Sequence, residues 1–146
     1  MVTRKGEEVT VAQENVQVVR RIYESFGSGD IPAVLEQMDQ SIEWNEAENF
    51  VYADLNPYIG PQAVLEGLFT RLGSEWEGFA PTPEEWLDAG DRVVVLGTYT
   101  GTYKATGREV RAQFAHVWGV RGGRVESLQQ YTDTKQFAQV VHNGTV

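Results

Sequence analysis

The chain has 146 residues, 41% hydrophobic and 23% charged, an ordinary globular balance that fits one domain spanning residues 1–146 with a core of about 10–141. Twelve Lys and Arg against 21 Asp and Glu give a net charge of −9, which repels phosphate backbones and anionic bilayers and excludes nucleic acid and membranes as natural partners. With no cysteine there is no disulfide, thiolate nucleophile or Cys-ligated zinc; no run approaches the ~20 apolar residues of a membrane span, the N-terminus lacks a signal-peptide core, and a cytoplasmic location is expected.

Thr10 to Gln13 reads as a capping box, in which hydroxyl and amide satisfy free amides at a helix start. Val18, Val19, Ile22, Tyr23 and Phe26 follow at helical spacing, and Gly27 and Gly29 supply a backbone suited to stopping the helix. Asp30 is placed to cap a second, shorter helix carrying Ala33, Val34, Leu35 and Met38. Ser41 to Trp44 suggests a short strand, and Asn45 to Gly60 a long polar loop with aromatics at Phe50, Tyr52 and Tyr58. Pro61 suits the first turn of a third helix, with an apolar stripe of Val64, Leu65, Leu68, Phe69 and Leu72. From Phe79 the period shortens. Turns at Gly90-Asp91 or Asp88 to Asp91, at Ala105 to Arg108 and at Arg121 to Arg124 divide the remainder into four hairpin-linked strands. Three helices followed by such a run predict an α+β fold, with helices packed on a curved, mainly antiparallel sheet and a funnel between the layers.

The strand Arg111 to Val120 carries the residue of greatest chemical interest. Alternate side chains of a strand share a face, so His116 lies between Phe114 and Trp118. Histidine is readily tuned to move protons near neutral pH, and an apolar wall is one place where such tuning occurs. The competing reading is a core histidine bonded to a backbone carbonyl. Glu43, Glu46 and Glu48 cluster around Trp44 without a regular ligand spacing, which fits a solvated loop better than a cation site, with a shifted general base as the alternative for Glu46. With two histidines in all, no metal site is expected, and no nucleotide loop suggests a cofactor.

The order of Tyr23 to Asp30, Trp44, Ile59 to Ala63, His116 to Trp118, Gly123 to Val125 and Gln130 to Asp133 resembles the SnoaL-like branch of the nuclear transport factor 2-like superfamily, over roughly Asn15 to Val140. The resemblance implies a conical half-barrel with an apolar pocket, and homodimerisation. The superfamily includes ketosteroid isomerases, limonene epoxide hydrolases, polyketide cyclases and members without catalysis, so fold alone does not assign an activity. Where the isomerases carry a general-base aspartate after the first strand, this chain has Asn45 with Glu46 beside it. Their oxyanion-donating aspartate falls at His116, and their tyrosine at or one residue before Tyr23. Of the epoxide hydrolase Asp-Arg-Asp set, only Asp133 is matched. The resemblance to the cyclases implies an acidic residue and a histidine around one pocket, here Asp133 and His116 on neighbouring strands.

A carboxylate bonded to one imidazole nitrogen fixes the tautomer and leaves the other free to exchange a proton. The expected catalytic set is therefore His116, Asp133, Tyr23 and Asn45, without cofactor, acting on a small apolar carbonyl compound as an isomerase, cyclase or lyase. The expected ligand-binding residues are Trp44, Tyr58, Phe114, Trp118, Gln130 and Tyr131. Gln130 lies on one face of the last strand and Tyr131 with Asp133 on the other, and a β-bulge could exchange them. A non-catalytic module that binds a small hydrophobic ligand is the alternative.

Overall fold

The computed structural model describes residues 11–142. Helix α1 (Val11–Gly27) and helix α2 (Ile31–Glu36) lead into strand β1 (Met38–Asn45). The expected Thr10 cap lies outside the described residues. Asp30 caps α2 as anticipated, its carboxylate accepting from the Ala33 amide at 3.2 Å. Met38 opens β1 rather than closing α2.

The loop that follows contains a 3₁₀ turn (Ala53–Leu55) and the two-residue strand β2 (Tyr58–Ile59). The third helix, α3, runs as α-helix over Pro61–Val64, widens to a π-helix over Leu65–Phe69, and returns to α-helix over Thr70–Glu75. Such π turns inside α-helices are rare and occur often at functional sites. Here the wide turn carries Leu68 and Phe69, both buried.

Strands β3 (Trp76–Ala89), β4 (Arg92–Tyr103), β5 (Arg108–Arg121) and β6 (Arg124–Thr132) form three successive hairpins. β3 begins at Trp76, just before the change of period at Phe79, and tolerates Pro81 and Pro83 because it is the edge strand. The Gly122-Gly123 turn has positive φ at both positions, 58° and 80°, the backbone of a tight hairpin whose twist matches its strands. A short helix α4 (Thr134–Val141) closes the described chain; sequence patterning did not indicate it.

The sheet order is β2-β1-β6-β5-β4-β3, antiparallel except where β1 runs parallel to β6. Helices pack on one side of this curved sheet, so the fold is α+β. The core lies between the layers, where Val18, Val19, Ile22, Val34 and Leu68 meet Val93, Val95, Trp118, Val125 and Leu128. No helix among the described residues is long and apolar enough to cross a membrane.

Candidate functional site

Strand alternation builds the site. On β5 it turns Phe114, His116 and Trp118 inward, each at most 6% exposed. β6 pairs Gln130 opposite His116 and Leu128 opposite Trp118, so these two residues also face inward. On β1 the inward residues are Ile42 and Trp44, and the same period carries past the strand end to Glu46, 4% exposed. Tyr99 projects from β4, and Tyr23 comes from α1.

All of these except Phe114 and Ile42 share one narrow apolar cavity of about 50 Å³, room for a few water molecules. His116, Tyr23, Tyr99, Glu46, Trp44 and Gln130 line it, with Phe50, Phe69, Phe79 and Pro81 among the apolar contributors.

Both nitrogens of His116 are engaged. Nδ1 lies 2.5 Å from the Tyr23 hydroxyl and Nε2 2.5 Å from the Tyr99 hydroxyl. Each hydroxyl oxygen also accepts a second bond: Trp118 Nε1–H donates to Tyr23 at 2.9 Å, and Gln130 Nε2–H donates to Tyr99 at 2.8 Å. Ala47 N–H donates to Gln130 Oε1 at 3.0 Å, which fixes the orientation of that amide. The result is a continuous chain from Trp118 through Tyr23, His116, Tyr99 and Gln130 to the backbone beside Glu46. Phe114 stacks on the imidazole with centroids 4.0 Å apart. Gly97 makes room for this, because a Cβ there would lie 2.2 Å from Thr82 O and 2.5 Å from Phe114 Cζ.

Burial sets the protonation of the site. It lowers His116 to about 3, so the ring is neutral at pH 7. It also raises both Tyr23 and Tyr99 well above the ordinary phenol range. Glu46 is pushed up to about 8, first by burial, with a smaller opposing influence from the Trp44 indole and then the Arg71 charge. The Trp44 N–H lies beside that carboxyl without reaching hydrogen-bonding geometry, and it is a buried donor with no partner. Asn56 holds the Glu46 backbone at both ends, accepting from its N–H at 3.0 Å and donating to its carbonyl at 2.8 Å.

Other expected site residues lie elsewhere. Asp133 is exposed and does not contact His116; it caps α4, its Oδ1 accepting from the Gln136 amide at 3.3 Å. The expected His116–Asp133 pair therefore does not form, because Asp133 lies past the end of β6, where its alternate neighbours Gln129 and Tyr131 face away from the cavity. Tyr131 is accordingly exposed. Asn45 points out of the cavity and donates to Glu43 Oε2 at 3.3 Å. Tyr58 is buried behind the site, donating to Tyr52 O at 2.5 Å and accepting from Arg71 Nη2 at 2.9 Å. Phe114 supports His116 from behind and is not part of the cavity wall. Sequence reasoning passed over Tyr99 and favoured a solvated loop for Glu46, while leaving it open as a shifted general base.

The SnoaL-like domain family matches residues 19–128. The chain belongs to this family. An NTF2-like protein from Burkholderia thailandensis is 34% identical, with 86% of this chain and 95% of that one aligned at a TM-score of 0.82. An NTF2-like protein from Burkholderia xenovorans is 30% identical over 88% of this chain and 95% of that one, with a TM-score of 0.75. TerC, crystallised with polyporic acid, is 25% identical over 88% and 98% of the two chains, with a TM-score of 0.78. No functionally curated protein matches the sequence. Within this SnoaL-like chain, the cavity is formed by residues 22–130, nearly coincident with the family's span.

Proposed function

We propose that this SnoaL-like protein is a cofactor-independent proton-transfer enzyme of the isomerase, cyclase or lyase type, acting on a small carbonyl compound. The observation that carries the proposal is the placement of one buried carboxyl, Glu46, on the same apolar cavity as the Tyr23–His116–Tyr99 array. In this reading Glu46 is the acid/base. Its ionised form removes a proton from carbon next to the carbonyl, the C–H electrons move into an enolate, and a hydroxyl of the array stabilises the enolate oxygen. Glu46 then returns the proton to carbon. A group with a pKa near 8 combines adequate basicity with a usable ionised fraction at neutral pH. His116 is a neutral positioning residue that holds the two hydroxyls, rather than the acid/base expected from sequence. Crystallisation of the relative TerC with polyporic acid supports occupancy of this fold by organic ligands.

The test is exchange of α-protons into D₂O, followed by mass spectrometry, for a panel of small ketones and enones. Exchange should rise about tenfold per pH unit up to about pH 8 and then level, and Glu46→Gln should abolish it. Exchange that survives in Glu46→Gln, or that occurs with no ketone in the panel, would refute the assignment. A binding module without chemistry is the second reading, favoured by an array whose members already satisfy one another around a cavity of only about 50 Å³. It predicts ligand retention with no exchange.

A further inference from the structure

The hydrogen atoms of the array can be counted. A neutral imidazole has one N–H donor and one acceptor nitrogen. If Nδ1 carries the hydrogen it donates to Tyr23, and Tyr99 O–H donates to Nε2. If Nε2 carries it, the directions reverse. The outer bonds from Trp118 and Gln130 run toward the tyrosine oxygens in both cases, so they consume no hydroxyl hydrogen. Each arrangement therefore satisfies one tyrosine hydroxyl hydrogen and leaves the other without an acceptor among the described side chains. Both tyrosines line the cavity, which is where that remaining hydrogen can find a partner.

A second donor without a partner lines the same cavity. Trp44 Nε1–H is the one buried side-chain nitrogen or oxygen among the described residues that has no hydrogen-bond partner, and its residue is 7% exposed. Trp44 and Tyr23 both pack against Trp118, at centroid distances of 5.5 Å and 5.9 Å. Leaving a buried donor unpaired is costly, and an unpaired one in a native structure calls for an explanation.

We infer that Trp44 Nε1–H and the uncommitted tyrosine hydroxyl hydrogen form a two-donor recognition site for the oxygen of a small carbonyl ligand. The inference rests on reading the cavity as a carbonyl site and adds Trp44 as a specificity-determining residue that the sequence placed only among aromatic wall candidates. The site favours a ligand whose oxygen only accepts. The tyrosine pair also adapts, because the ligand selects which of the two proton arrangements of the array is populated.

The probes are cyclopentanone and methylenecyclopentane, which share a shape but differ in the acceptor oxygen. The Trp44 indole N–H resonance, assigned by its loss in Trp44→Phe, should move on titration with the ketone and stay in place with the hydrocarbon. Trp44→Phe should lower the ratio of ketone to hydrocarbon affinity about fivefold, the effect of one ordinary hydrogen bond. Equal responses to both probes, an unchanged affinity ratio in the variant, or no binding of the ketone at millimolar concentration would each overturn the inference. If Trp44→Phe does not fold, assignment passes to selective labelling and the resonance of the unaltered protein decides. Selective ketone binding without α-proton exchange would retain the two-donor site and remove the enzymatic reading.

Discussion

The sharpest consequence of the structure concerns Glu46 and pH. In the unfolded chain its carboxyl titrates near 4.5, whereas burial in the folded protein raises it to about 8. The folded state therefore favours the protonated form. Stability associated with this group is fully present below pH 4.5, falls as pH rises, and is lost once pH passes about 8. Between pH 4.5 and 7 the penalty grows by about 3 kcal/mol, at about 1.4 kcal/mol per pH unit over most of that window. Glu46→Gln keeps the shape and removes the ionisation, so its stability relative to the unaltered protein should climb by about that amount over the same window. Urea unfolding of both proteins at pH 4.5, 5.5, 7 and 8.5 measures this directly. Parallel stability profiles would show that the carboxyl is not held in a dry, apolar wall, and the proton-transfer reading would lose its base.

Two further predictions separate the site from its surroundings. Gly97→Ala should destabilise by roughly 1–3 kcal/mol in urea unfolding, because the added methyl meets the Thr82 carbonyl and displaces the Phe114 ring from His116; a neutral substitution would show that the stacked arrangement is not tightly packed. Asp133→Ala should cost about 1 kcal/mol through the lost cap on α4, while leaving ligand affinity and any α-proton exchange unaltered. A change in the pH profile of exchange would restore the pairing with His116 that the structure lacks.

Much of the architecture is legible in local pattern. Helical spacing over Val18 to Phe26 marks α1, paired glycines mark the β5–β6 turn, and a two-residue period marks the strands. That period also brings His116, Trp118 and Trp44 inward. It carries Glu46 with them, since Ile42, Trp44 and Glu46 follow one another at two-residue steps; a polar loop composition concealed this. Tyr99 shares a face with Val93 and Val95 by the same rule, but nothing local ties its hydroxyl to a histidine 17 residues away.

What the sequence by itself determined is the fold class, the family and the inward-facing histidine, because each follows from residue type and short-range periodicity. The tertiary structure decided which groups meet that histidine. Register between β5 and β6 faces Gln130 inward, the start of α4 takes Asp133 as its cap, and the approach of α1 brings Tyr23 to Nδ1 from 93 residues away. Burial, a property of the assembled layers, then makes the imidazole neutral and keeps Glu46 mostly protonated at pH 7.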